Sequence, residues 1–203
     1  STIVCLLSIL IILVVSSLAG FAFAKLRYWF APVVFLGIVA ALLIPMQSII
    51  IPTYVNLSKV HLLNGYWGAV LVYAALGTPF ATFLMTTYYR GLPDELIEAA
   101  VCDGLSYGAM FLRIAVPMSL PALVTVMVLQ FIQIWDDLLV GLLFLQNTDD
   151  RTITVGLGVL SSGRSTDIPV LMAGSLVSAV PAIVVFLVFQ RHLVRGLTAG
   201  MGK

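Results

Sequence analysis

The chain has 203 residues, of which 61% are hydrophobic and only 9% charged, against about 25% charge in ordinary soluble domains. Ten Lys and Arg against nine Asp and Glu give a net charge of +1, with no basic surplus of the kind nucleic-acid binding requires. The solvent for most of such a chain is lipid, and the sequence therefore reads as an all-α integral membrane protein, because hydrocarbon tolerates only backbones that satisfy themselves.

A bilayer core of about 30 Å calls for about 20 apolar residues per helix. Five segments meet that length: Thr2 to Ala24, Pro32 to Val55, Gly65 to Tyr88, Ser119 to Leu145 and Pro169 to Gln190. Between them lie the loops Lys25 to Ala31, Asn56 to Asn64, Tyr89 to Met118 and Gln146 to Ile168, followed by the tail Arg191 to Lys203. Alternation puts the first loop, the third loop and the tail on one side, with Lys25, Arg27, Arg90, Arg113, Arg191, Arg195 and Lys203. The other side has Lys59, Arg151 and Arg164. The positive-inside rule makes the first set cytoplasmic, the C-terminus included. Five spans then start the chain on the outer side, so a native chain beginning in the cytoplasm needs one more helix upstream, six in all. The start at Ser1, without a charged leader or cleavage site, fits a missing N-terminal piece. No repeat or low-complexity linker divides the chain, which reads as one membrane domain.

Cys5 and Cys102 are far apart, so neither a disulfide framework nor a metal site has its ligands, and both read as small core residues. His61 and His192 are equally isolated and read as surface or headgroup-level residues. Asn56, Leu57 and Ser58 match a glycosylation pattern too short to carry weight. Pro45, Pro52, Pro79 and Pro181 lie in or near spans, where they permit kinks that serve a moving protein but also occur in inert membrane helices.

The third loop, Tyr89 to Met118, reads as folded. Pro93 suits a first turn, Asp94 and Glu95 complement the positive end of a helix, and Gly104 is a natural stop, which predicts a short helix from about Pro93 to Asp103. Ser106 is placed to cap a second helix, in which Tyr107, Met110, Phe111 and Ile114 share one face before Pro117 ends it. Leu96, Ile97, Ala100 and Val101 give the first helix a similar face, and Ala99 and Ala100 are small enough for close approach of another backbone. By periodicity the pair either fills a partner's groove or packs on the cytoplasmic ends of the spans.

Glu98, Ala99 and Ala100, then Gly104, Ile114 and Pro117, resemble the EAA loop of permease subunits in binding-protein-dependent ABC importers; Val116 stands where that pattern usually has Leu. The resemblance implies an ABC transmembrane type-1 permease domain over 1–203, its first helix absent, with the EAA coupling loop at 89–118. It further implies that this loop docks in a cleft of the ATPase subunit through Glu98, Ala99, Ala100, Asp103 and Gly104, with Glu98 meeting a basic residue there.

On the fourth span Gln130, Gln133 and Asp137 are spaced i, i+3 and i+7, with Trp135 and Asp136 beside them. Polar groups at membrane depth face a protein interior or a watery path. The stripe either lines a translocation route, its amides offering hydrogen bonds to substrate hydroxyls and Trp135 a ring face, or joins helices, with the two aspartates near the outer interface.

The C-terminal stretch Phe189 to Lys203 is similar to the tail of sugar permeases of the maltose-transporter type, with Gln190, Arg191 and Gly196 to Gly200 carrying the likeness. Asn64 to Trp67 and Thr78 to Phe80 add to it. Sugars become the favoured substrate class. The small residues from Gly196 to Gly202 suggest a flexible tail, either reaching the ATPase dimer or fraying. Gly202 and Lys203 do not end a P-loop, since Leu197 stands where its first Gly belongs and no strand precedes it.

The resemblance implies a non-enzymatic, multi-pass subunit of the bacterial cytoplasmic membrane with no cofactor of its own, ATP and Mg being held by the ATPase. Its expected partners are a second permease subunit, two ATPase subunits and an extracytoplasmic binding protein. The rivals are an ion-gradient carrier, which would have only Asp136 and Asp137 near mid-membrane and would leave the loop unexplained, and an intramembrane enzyme, for which no constellation of residues exists.

Overall fold

The computed structural model describes residues 1–26, 28–63, 65–163 and 167–199, with 192–199 described by backbone alone. Arg27, Asn64, Arg164 and Gly200 to Lys203, on which parts of the charge comparison and of the tail likeness rest, lie outside the described residues, as do the side chains of His192 and Arg195.

All regular structure among the described residues is helical. The first helix, α1 (Thr2–Lys25), meets no charge until its last residue. Val4, Cys5, Ser8, Ile9, Ile12, Ser16 and Phe21 recur at helical spacing on its buried face, while Leu6, Leu10, Val14 and Leu18 stay exposed. A helix apolar on both faces is built to pack protein on one side and lipid on the other.

The expected second span is not one straight helix. Helix α2 (Ala31–Ala40) tightens into a 3₁₀ turn at Ala41–Leu43 and gives way to α3 (Met46–Lys59) across a bend of 102°. Pro45 is the cause: it sits at extended ψ of 132° and forces Ile44 to ψ 116°, out of the helical region. At its far end α3 stops with His61 at φ 56°, where Leu62 N donates to Leu57 O at 3.0 Å and His61 N to Ser58 O at 3.1 Å. That is a Schellman ending with histidine in glycine's usual place.

Helix α4 (Tyr66–Arg90) is unbroken despite Pro79. It is followed by α5 (Asp94–Cys102), the short α6 (Tyr107–Met110), a π-helical turn (Phe111–Ala115) and α7 (Val116–Met118). Pro117 does not end this second loop helix as the sequence suggested. Its ring and missing N–H displace the Arg113 carbonyl four residues back, the wide turn absorbs the misfit, and the break comes at Ser119.

Helix α8 (Leu120–Trp135) turns 73° from that segment and halts ten residues short of the expected Leu145. Asp137 explains the stop, because its carboxylate accepts from Val140 N at 2.8 Å and so starts α9 (Leu139–Phe144) afresh. The expected fourth loop contains a 3₁₀ turn at Thr148–Asp150 and α10 (Ile153–Ser161), whose first turn Thr152 caps by accepting from Val155 N. Helix α11 (Ile168–Ala199) runs through Pro181 and past Gln190, so the expected flexible tail is helical as far as Ala199. No helix-breaking proline lies in that stretch. Among the described residues three helices are long and apolar enough to cross a membrane unbroken, or up to five spans if each bent pair is one.

The chain forms two compact units. One comprises Ser1–Leu10, Pro45–Leu76 and Val128–Val188, the other Ile11–Ile44, Gly77–Met127 and the chain from Phe189. In the first, Ser8 Oγ donates to Val70 O at 3.4 Å, and Gly141 lies so near α10 that a Cβ there would meet Val155 Cγ2 at 2.6 Å. In the second, a Cβ on Gly20 would stand 2.8 Å from Met85 Cβ and 3.0 Å from Thr86 N, a contact between α1 and α4 that only the smallest residue allows.

Candidate functional site

The third loop is fastened at its root. Tyr89, fully buried, has its hydroxyl 2.7 Å from Ser17 Oγ on α1 and 3.1 Å from Ser119 Oγ, where the loop re-enters α8. Ser119 Oγ in turn donates to Val116 O at 3.0 Å, and the Tyr88 hydroxyl donates to Met118 O at 2.8 Å. The two ends of the loop are therefore joined through side chains, and Phe21 packs its ring against both Tyr89 and Phe111 at 5.8 and 5.4 Å.

From that base α5 projects. Pro93 occupies the N-cap with ψ 133°, and Asp94 and Glu95 fill the first turn, where acidic groups favour the helix dipole. The helix closes in a Schellman motif: Gly104 at φ 77° donates to Val101 O at 3.0 Å and Leu105 N to Ala100 O at 3.0 Å. Glu95, Glu98, Ala99 and Cys102 make an exposed face at helical spacing, with Asp103 exposed just beyond, while Ala100 turns inward and is buried. Cys102 is thus not the core residue expected, whereas Cys5 is, because Cys102 falls on the outer face of α5. Ser106 caps α6 by accepting from Ala109 N at 3.3 Å.

The apolar stripe of the second loop helix divides. Met110 and Phe111 are buried on the chain's own spans, Ile114 is half-buried, and Tyr107 stays outside; Pro117 is also exposed. On α5 Leu96 and Val101 likewise face out, so the loop packs on the spans with part of its surface and leaves an apolar and acidic part open. Beside the open part is a cleft of about 800 Å³ lined by Lys25, Tyr28, Asp94, Glu98, Cys102 and Tyr107, among others. Lys25 Nζ donates at 2.6 Å to both Leu92 O and Asp94 Oδ1. Sequence reasoning used Lys25 only in the charge comparison and Tyr89 and Ser119 only as loop and span bounds; for Tyr89 and Ser119 the available signal was their place where an apolar span meets the loop.

The polar residues of the fourth span do not make one stripe. Gln130 is buried on α8 with its Nε2 unpartnered, whereas Gln133 three residues on is exposed. Trp135 is buried, stacked on Phe131 at 5.3 Å, and its Nε1 donates to Ser178 O of α11 at 2.9 Å. Asp136 is exposed. Asp137 lies beyond the end of α8, accepting from Val140 N and, at 3.3 Å, from the Tyr73 hydroxyl. Trp135 and Asp137 thus spend their polar atoms on holding helices, and Gln130 has an amide donor to give.

Residues 6–199 match the family described as binding-protein-dependent transport system inner membrane component. The chain is 35% identical to the osmoprotective compounds uptake permease protein GgtD of Synechocystis sp., over 93% of this chain and 64% of that one. It is 32% identical to the arabinooligosaccharides transport system permease protein AraQ of Halalkalibacterium halodurans, over 93% and 67%. The alpha-glucoside transport system permease protein AglG of Rhizobium meliloti is 34% identical, over 97% and 53%. The chain thus spans roughly half to two thirds of the length of these relatives. Its fold is shared with the crystal structure of a bacterial ABC transporter involved in the import of the acidic polysaccharide alginate, with a TM-score of 0.81 at 21% identity over 92% of this chain and 70% of that one.

Proposed function

Because the chain belongs to the family of binding-protein-dependent transport system inner membrane components, we propose that it is the permease subunit of an ATP-driven importer of sugars or oligosaccharides, coupled to its ATPase through the loop from Tyr89 to Met118. The arabinooligosaccharide and alpha-glucoside relatives support the substrate class. The observation that carries the docking role is the exposed face of Glu98 and Ala99 on α5, a short helix held from below by Tyr89 and terminated by Gly104. A negative residue beside a small one on such a knuckle suits a partner cleft with a basic group.

In this reading residues 1–203 are a single type-1 permease domain in the bacterial cytoplasmic membrane, with the loop at 89–118 and the C-terminus on the cytoplasmic side. It works with a second permease subunit, two ATPase subunits and an external binding protein. The span window of α11 has no buried residue, which leaves apolar surface for lipid and for the second permease. ATP and Mg belong to the ATPase, and this subunit makes or breaks no covalent bond. Closure of the ATPase dimer moves the docking helices and shifts the bundle between inward-open and outward-open states. Gln130, Gln133, Trp135 and Asp137 border the sugar's route, with the unpartnered amide of Gln130 the strongest support. An ion-gradient carrier finds no favour in the family match.

The test is co-purification of the full-length subunit and the second permease with the ATPase, wild type against Glu98→Lys. The expected result is loss of ATPase recovery or of substrate-stimulated hydrolysis; unchanged assembly and coupling would refute the docking role.

A further inference from the structure

We propose that Lys25 is a positioning residue for coupling, a buried cation that binds the end of α1 to the first turn of α5 and makes α1 follow when α5 is displaced. This rests on the reading of α5 as the ATPase-docking helix.

The ion pair between Lys25 and Asp94 is asymmetric. The Lys25 side chain is 3% exposed and that of Asp94 is 73% exposed, although the two meet at 2.6 Å. An exposed pair can trade its contact for water at little cost. The Lys25 side chain is enclosed, although the residue borders the cleft beside α5, and its other described acceptor, Leu92 O at 2.6 Å, belongs to the same entry into α5. An ammonium that loses its acceptors away from water bears a large desolvation penalty. If α5 is drawn away, the end of α1 is therefore held to it.

The placement of the charges agrees. Lys25 is the last residue of α1, where a cation offsets the negative helix end, and Asp94 is the first of α5, where an anion offsets the positive end. The ion pair thus joins the last residue of α1 to the first of α5. Tyr89 and Ser119 fix the root of the loop, whereas Lys25 grips α5 itself. Helix α1 is unbroken over 24 residues, a rod of about 36 Å at 1.5 Å per residue. Displacement received at Lys25 is thus delivered along its length.

The experiment uses the full complex in lipid nanodiscs with binding protein and sugar, and measures ATPase recovery together with the ratio of stimulated to basal hydrolysis. Lys25→Met is expected to keep recovery at the wild-type level, since the Asp94 side chain is largely exposed, and to lower the ratio about fivefold or more, the scale of a typical coupling energy. Lys25→Arg, which keeps charge and donors, is expected to stay within about twofold of wild type. The proposal is overturned by an unchanged ratio in Lys25→Met, by parallel loss of ATPase recovery, or by an arginine variant as uncoupled as the methionine one. Should Lys25→Met fail to fold, Asp94→Ala is read the same way, and an unchanged ratio there overturns the proposal equally. Failure of the docking role itself registers separately, as normal recovery and ratio in Glu98→Lys.

Discussion

Tyr89 shows how one side chain can secure a loop. Its ring lies edge-on to Phe21, and its hydroxyl stands between Ser17 and Ser119, with no exposure to solvent. Tyr89→Phe preserves the ring and removes the hydroxyl, leaving Ser17 short of a partner while Ser119 keeps its bond to Val116 O. The expected loss is about 1–2 kcal/mol, the cost of an unmade buried hydrogen bond, seen as a lower thermal midpoint of the purified subunit in detergent. A midpoint equal to wild type would mean that packing alone closes the root. Gly104 and His61 make a second comparison at this scale, since both end a helix in the left-handed region, at φ 77° and 56°. For histidine that geometry carries a steric cost of about 1 kcal/mol which glycine avoids.

Between elements, close approach is the governing quantity, and Gly20 sets it for α1 and α4. Gly20→Leu has no room for its side chain against Met85 and the Thr86 backbone, so the helices must separate, at a cost of about 1–3 kcal/mol. Gly37→Leu on α2, where nothing lies within 4 Å, is the matched control and is expected to leave the thermal midpoint unchanged. Equal midpoints in the two variants would contradict the packing described. Much at this scale was legible in the sequence because its cause is local: Pro93 before α5, Gly104 after it, Ser106 before α6, and the full length of α1 and α4. Pro45 was legible as a place where a span can kink, though Pro52, Pro79 and Pro181 were equally so and lie inside helices; the break at Asp137 was not, since a count of apolar residues is blind to where a span turns. Helix α10 was hidden because its apolar residues come in a nine-residue piece too short to register as a span. The role of Lys25 depended on burial by distant residues, which no local pattern records.

For the molecule as a transporter, the test falls on Gln130. Its amide donor is buried without a partner, a state that costs stability and that selection has little reason to keep unless the group is used. Gln130→Leu is expected to raise the thermal midpoint, because it removes an unsatisfied polar group at similar volume. The same variant and Gln133→Ala are each expected to slow sugar uptake about 2–10-fold, the range of one hydrogen bond. Normal affinity and rate of uptake in proteoliposomes for both variants would remove them from the route. The loop from Tyr89 to Met118 is closed at its base by side chains. Since Tyr89 and Ser119 touch, the segment between them leaves and rejoins the spans at a single point. A segment of different length grafted between these anchors changes the closure entropy by only about 0.6 kcal/mol per doubling. Evolution can then exchange the loop as a cassette, matching a permease to a new motor while the pathway through the bilayer is inherited intact.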